Sequence, residues 1–170
     1  MTTLKIDTKF MPLDLKAAKD GTIEGYASLF GILDNGGDVV VKGAYTASLA
    51  RRASRMEKVK MLWQHNPYQP IGVWDEVVED EKGLIVKGRI LAEVAKGREA
   101  KALMEAGALD GLSIGYRTMR SDYKDSGERQ LLEVDLWEVS VVTFPMLPEA
   151  RATVKLEGLD EVKERLAAGD

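Results

Sequence analysis

Alternating apolar and polar residues predict a chain built mainly of short strands. The alternation runs from Leu4 to Phe10 and again from Thr22 to Phe30, which is typical of half-buried strands. The segment Asp34-Asn-Gly-Gly-Asp38 predicts a turn, because Asn and Gly accept positive φ. The same pattern, or a mostly apolar version of it, predicts further strands over 58–64, 71–78, 84–91, 111–119 and 131–144.

Helical segments are fewer. We predict a short helix over 43–54, a longer one over 92–109 with an apolar stripe that includes Ala102 and Leu103, and a charged terminal helix over 159–168. Strands in hairpin-like succession with few helices predict an α+β, mainly β fold. Its core would be a mostly antiparallel, nearly closed barrel of about six or seven strands with helices outside.

Composition narrows the class of protein. A chain of 170 residues with 45% hydrophobic and 31% charged residues is typical of one soluble globular domain. A net charge of −4 argues against a nucleic-acid partner, and no apolar run is long enough to predict a membrane span. The sequence has no cysteine, which excludes disulfides, a thiol nucleophile and thiolate metal sites.

The candidate chemistry begins with His65, the single histidine of the chain, and with Ser113 in the segment Gly111-Leu-Ser-Ile-Gly115. This Gly-x-Ser-x-Gly pattern suggests the nucleophile elbow of α/β-hydrolases, but that fold needs its histidine after the serine. Here the histidine comes first, and the residues after Ser113 continue as a strand, so the elbow is excluded. A triad is defined by geometry and not by chain order. Ser113 therefore remains a candidate nucleophile, with His65 as the available base.

A carboxylate would complete the triad. Period-two alternation along 131–144 places Glu138 in an apolar row with Leu136 and Ser140, and places Asp135 on the opposite face. Burying an unpaired carboxylate is costly, so one in such a row usually has a partner. Glu138 is a candidate third member and Asp135 the competing acid. From the pattern alone, a structural ion pair at Glu138, or a glutamate at the surface of an edge strand, is the favoured alternative.

Two other functions stay open. A metal-dependent hydrolase could use His65 with Asp34, Asp38 and Glu138, but no HxxxE or HExxH spacing supports it, so we expect neither metal nor cofactor. A non-enzymatic assembly or scaffold module would use Ser113 and His65 only for packing. A serine-directed fluorophosphonate probe would separate this alternative from an enzyme.

Several short motifs follow one another in order around these candidates. They are Gly25 with Ala27, the Asp34 to Asp38 loop leading to Gly43-Ala44-Tyr45, Leu62-x-x-His65, Pro70-Ile-Gly72, Gly83-Leu84, Gly107 with Gly111-Leu-Ser-Ile-Gly115, and Glu138-Val-Ser140 followed by Pro145. In this order they resemble the prohead (head maturation) proteases of tailed bacteriophages, which are related in fold to herpesvirus assemblins. The resemblance covers nearly the whole chain. Thr143-Phe-Pro-Met146 departs from the assemblin pattern, which has an arginine pair there near the oxyanion site.

The resemblance implies roles and partners. His65 would be the base, Ser113 the nucleophile and Glu138 the third member. The enzyme would be a viral serine endopeptidase, packaged inside the procapsid in the host cytoplasm, that cleaves the scaffolding segment of the major capsid protein and then itself. Self-association is left open, and no nucleic-acid or membrane partner is implied. We assign residues 1–155 to the protease domain and 156–170 to a charged C-terminal helix or tail.

Overall fold

The computed structural model describes residues 7–12, 16–17 and 21–144. Within them the chain forms nine strands and two helices. In chain order these are β1 (Asp7–Pro12), β2 (Lys16–Ala17), β3 (Thr22–Leu29), β4 (Asp38–Val40), α1 (Thr46–Ser54), β5 (Lys60–Trp63), β6 (Asn66–Glu79), β7 (Gly83–Ile90), α2 (Ala95–Glu105), β8 (Gly111–Tyr123) and β9 (Arg129–Val142).

All nine strands belong to one sheet in the order β1-β8-β9-β5-β6-β7-β3-β2, with β4 paired to β9 outside this path. The sheet is curled, so that β3 near one end packs against β1 and β8 at the other. The predicted mainly β fold is confirmed. The sheet is mixed, however, because β9 pairs in parallel with both β4 and β5 while the other pairings are antiparallel.

The predicted apolar stripe on the second helix is wrong. In α2 the buried residues are Gly97, Ala100 and Met104, whereas Leu103 is 39% exposed. A Cβ at position 97 would lie 2.2 Å from the backbone oxygen of Leu91. The missing side chain of Gly97 therefore lets the helix approach the chain closely, and this approach selects the buried face.

The predicted strands are found, with some bounds shifted. The strand predicted over 71–78 begins earlier, at Asn66, and the strand predicted over 111–119 continues to Tyr123. The predicted helix over 159–168 and the proposed boundary at residue 155 lie outside the described residues. Neither of the two helices in the described ranges is long and apolar enough to cross a membrane.

A β-bulge in β9 decides which way its side chains face. Gly115 of β8 pairs with Glu138, but the next residue, Tyr116, pairs with Leu136, so Trp137 is an extra residue in the ladder. The core side chains of β9 are Leu131, Val134 and Leu136 before this point, and Val139 and Val141 after it. The prediction that Glu138 shares the face of Leu136 is therefore wrong, because the extra residue restarts the alternation.

Candidate active site

Ser113 lies on β8, on the face of the sheet opposite the core side chains. Its neighbours Leu112 and Ile114 belong to the hydrophobic core, and Ser113 pairs across the sheet with Ser140 of β9. Residues paired across two strands share a face, so the two serines project to the same side. β8 continues without interruption to Tyr123, which confirms that Ser113 is not on a nucleophile elbow. The Ser113 side chain is fully buried.

His65 lies in a tight turn between β5 and β6. Gln64 and His65 have φ of 50° and 59°, a left-handed conformation that residues other than glycine rarely adopt. The end of β9 holds this turn: the Gln64 N–H donates to the Val141 carbonyl at 3.0 Å, and the His65 N–H donates to the Ser140 hydroxyl at 3.0 Å. The Gln64 side chain also exchanges two hydrogen bonds with Thr143.

The His65 imidazole connects Ser113 to Glu138. Its Nε2 atom is 2.6 Å from the Ser113 hydroxyl oxygen, and its Nδ1 atom hydrogen-bonds Oε1 of Glu138. The side chains of His65 and Glu138 are 18% and 11% exposed, so the contact is largely shielded from water. The three predicted site residues, which come from three separate parts of the chain, therefore form one continuous series: hydroxyl, imidazole and carboxylate.

Gly115 makes room for the carboxylate. A Cβ at this position would lie 2.2 Å from Oε1 and 2.7 Å from the carboxyl carbon of Glu138. The second glycine of the Gly-x-Ser-x-Gly pattern thus has a spatial role that differs from its role in a nucleophile elbow. Sequence reasoning recognised the glycine but missed this role, because the pairing of Gly115 with Glu138 depends on the register of two distant strands.

Asp135, the competing acid, lies in a different environment. It accepts hydrogen bonds from Arg51 at 3.0 Å, from Trp137 Nε1 at 2.9 Å and from Ser48 at 3.3 Å, and Arg52 is 3.7 Å away. Burial alone would raise the pKa of Asp135, but these hydrogen bonds and the nearby arginine charges outweigh it and lower the pKa below its usual value. Asp135 is thus part of an ion-pair cluster between α1 and β9.

The acids of the predicted turn are also committed elsewhere. Asp34 Oδ1 accepts the N–H groups of Gly36 and Asp38 at 2.9 Å, and both oxygens of Asp38 bind Arg129 at 2.7 Å. In the ranges that the structure describes, no three His, Asp or Glu side chains are grouped so that they could hold a metal ion. Asp34 and Asp38 therefore do not join Glu138 in a common site.

Comparison with known proteins gives a family and two relatives. Residues 9–165 match the family model described as caudovirus prohead serine protease. Over 151 residues the chain is 33% identical to the prohead protease of Enterobacteria phage HK97, an alignment that covers 86% of this chain and 66% of that protein. Over 118 residues it is 30% identical to the capsid polyprotein of Pseudomonas phage PAJU2, covering 65% of this chain and 17% of the polyprotein.

The fold also has a relative of known structure. The capsid assembly protease of bacteriophage T4 superimposes with a TM-score of 0.65 at 15% sequence identity, covering 83% of this chain and 97% of that structure. At this identity the likeness shows the shared fold alone.

A serine and an acid on neighbouring strands, connected through a histidine in a turn, are the arrangement of a serine hydrolase. More particularly, the chain belongs to the caudovirus prohead serine protease family. It spans slightly less than two thirds of the length of the HK97 relative, 66%.

Proposed function

We propose that this chain is a serine endopeptidase of capsid maturation, with Ser113 as nucleophile, His65 as general base and Glu138 as the residue that orients His65. The observation that carries the proposal is the unbroken series of hydrogen bonds from Ser113 through both imidazole nitrogens to Glu138. Family membership supports the class of reaction.

The geometry suits acyl transfer. A serine hydroxyl is a weak nucleophile until a base takes its proton, and His65 Nε2 is within hydrogen-bond distance of Ser113. As the Ser113 oxygen bonds to the peptide carbonyl carbon, its proton passes to Nε2, and the imidazolium then gives this proton to the leaving amine. Water hydrolyses the acyl-enzyme through the same groups in reverse. Glu138 accepts a hydrogen bond from the Nδ1–H group, which keeps Nε2 free to take a proton and stabilises the imidazolium.

For the substrate, we propose the scaffolding segment of the major capsid protein and then the enzyme itself, inside the procapsid in the host cytoplasm. The names of two relatives support this choice: one is a prohead protease, and the other is a capsid polyprotein that contains a region similar to this chain. We propose no cofactor, because the steps above need only side chains of this chain and water.

Co-expression with the cognate major capsid protein tests the proposal. We expect mass mapping to find new termini in the capsid protein and in the protease, and we expect Ser113→Ala and His65→Ala each to abolish them. Because triad residues act as a unit, the double variant should be scarcely worse than either single variant.

A matched control is Ser48→Ala, which removes another fully buried serine hydroxyl, outside the site. This variant should still produce the new termini. The same termini in the presence of folded Ser113→Ala protein would show that another protease made them. That result would favour the non-enzymatic assembly module.

A further inference from the structure

A second serine, Ser140, contacts both His65 and Glu138. Ser140 is fully buried, its hydroxyl donates to Glu138 Oε2 at 2.6 Å, and its oxygen accepts the His65 backbone N–H at 3.0 Å. A hydroxyl has a single hydrogen, and a backbone N–H can only donate. The directions are therefore settled: the His65 backbone donates to Ser140, and Ser140 donates to Glu138.

This arrangement fixes both sides of the contact between His65 and Glu138. One carboxylate oxygen of Glu138 binds the imidazole and the other binds Ser140, so the carboxyl group is held at both ends. The terminal torsion of a glutamate has a broad preference and does not set this orientation by itself. The same hydroxyl holds the backbone of His65, whose φ of 59° needs support from its surroundings.

We propose that Ser140 is a positioning residue of the active site, which aligns the Glu138 carboxylate and the His65 backbone so that the imidazole faces Ser113. It contacts neither substrate nor reacting atoms in this role. The inference rests on the proposed function of the three residues that it aligns.

The molecule contains a matched control. Ser48 is also fully buried, accepts a backbone N–H, that of Leu136, at 2.9 Å, and contacts a carboxylate, Asp135, at 3.3 Å. Both serines therefore connect a backbone N–H to an acid of β9, but the acid beside Ser48 binds arginines and the acid beside Ser140 binds His65. Removing either hydroxyl should lower stability, whereas only the loss of Ser140 should slow catalysis.

The test compares Ser140→Ala with Ser48→Ala in the full chain. The substrate is a fluorogenic peptide that spans a cleavage site mapped in the capsid protein. We expect Ser140→Ala to lower kcat by about 10- to 100-fold, the factor that corresponds to the free energy of one hydrogen bond to a charged group, with KM changed by less than about twofold. Ser48→Ala should change kcat by less than about twofold at a temperature where it is fully folded.

Three further variants serve as controls for the Ser140→Ala measurement. In a Glu138→Gln background, Ser140→Ala should cost less than about threefold, because the carboxylate that it aligns is gone. Ser140→Cys keeps the size of the side chain but donates only weakly, and it gives the same comparison if the alanine variant does not fold. A folded Ser140 variant with kcat near that of Ser48→Ala overturns the proposal for Ser140. If Ser113→Ala cleaves the peptide as fast as the unaltered chain, the proposed function itself is wrong.

Discussion

Two acids of β9, three positions apart, lie in opposite kinds of environment. Asp135 is surrounded by permanent cations: Arg51 at 3.0 Å, Arg52 at 3.7 Å and Arg117 at 4.0 Å. Glu138 hydrogen-bonds a histidine and a serine, and among the residues that the structure describes its one ionisable partner is the His65 imidazole.

The difference explains which acid suits catalysis. The charge of Asp135 is balanced by arginines whether or not a proton moves, so it serves to attach α1 to the sheet. The charge of Glu138 faces an imidazole that changes its own charge during the proposed reaction. Such a carboxylate can stabilise the imidazolium when it forms, which is the role of the acid in a serine triad.

Replacing each acid by its amide should separate the two roles most widely. We expect Glu138→Gln to lower kcat by roughly 10² to 10⁴, because an amide at this position favours the wrong histidine tautomer; the upper figure is the loss known for the corresponding trypsin variant. Asp135→Asn should leave kcat within about threefold, since its partners are outside the proposed site. Steady-state kinetics on both variants measures the difference. An inactive Asp135→Asn beside an active Glu138→Gln would reverse the assignment.

Crowding the Glu138 carboxylate should have the next largest effect. In Gly115→Ala the new methyl group would lie 2.2 Å from Oε1 of Glu138, so the carboxylate that contacts His65 must shift. A misplacement of about 1 Å commonly costs about 10² in rate, and we expect a loss of kcat of that order. Gly111→Ala is the control on the other side of Ser113, because its Cβ would meet the Val142 side chain at 2.9 Å and not the acid. Equal losses in the two variants would argue against a specific role for Gly115.

Sequence reasoning was strongest where local pattern determines structure. The strands, the α+β class and the identity of Ser113, His65 and Glu138 as candidates came from alternation, from residue chemistry and from the ordered motifs. The facing of Glu138 did not, because the extra residue Trp137 depends on the pairing of β9 with β8, and no local signal marks it. For the same reason, the roles of Gly115 and Ser140 became visible only when the register was known.

The buried face of α2 was missed for another physical reason. The apolar stripe was predicted from side-chain hydrophobicity, which leaves out Gly97 because glycine has no side chain. In the structure Gly97 lies on the buried face, where the backbone of α2 closely approaches the chain. The buried face of this helix therefore combines the close approach at Gly97 with the apolar side chains of Ala100 and Met104.

The ion-pair cluster that contains Asp135 should contribute to the stability of the fold and not to the catalytic rate. We expect Asp135→Asn to lower the free energy of unfolding by roughly 1 to 3 kcal/mol at neutral pH, because the partly buried Arg51 and Arg52 lose a charged acceptor that is itself 14% exposed. The pKa of Asp135 is lowered in the folded protein, so its stabilisation is present above the usual pKa of an aspartate. The stabilisation is lost as pH falls through the lowered value. Denaturant unfolding measures the free energy of unfolding of the unaltered chain and of Asp135→Asn. The difference between the two should shrink as pH falls through this acidic range.

The exposed pair of Asp75 and Arg89 is the control for this measurement. Asp75 also has a lowered pKa, with its hydrogen bond from Arg89 as the main cause, but both side chains are about half exposed. Solvent screens such pairs, so Asp75→Asn should change stability much less than Asp135→Asn does. Equal losses of stability in the two variants would mean that burial does not strengthen the ion pairs of Asp135.

Deleting residues 156–170 should have the smallest effect on rate. The segment carries no residue of the proposed site, and we predict that the truncated chain cleaves a supplied peptide nearly as fast as the full chain. The full and truncated chains should instead be compared for incorporation into procapsids, and the full chain should be tested for cleavage within residues 156–170. A folded truncation without peptidase activity would show that the tail belongs to the catalytic unit.

The imidazole of the single histidine offers the most direct test that Glu138, and not Asp135, orients His65. One histidine gives one pair of ring nitrogens in a ¹⁵N NMR spectrum, so the tautomer can be assigned without ambiguity. In the neutral imidazole we predict a proton on Nδ1, facing Glu138, in both the unaltered chain and Asp135→Asn. We predict loss of this preference in Glu138→Gln. An unchanged tautomer in Glu138→Gln, together with a changed one in Asp135→Asn, would show that Asp135 and not Glu138 orients His65.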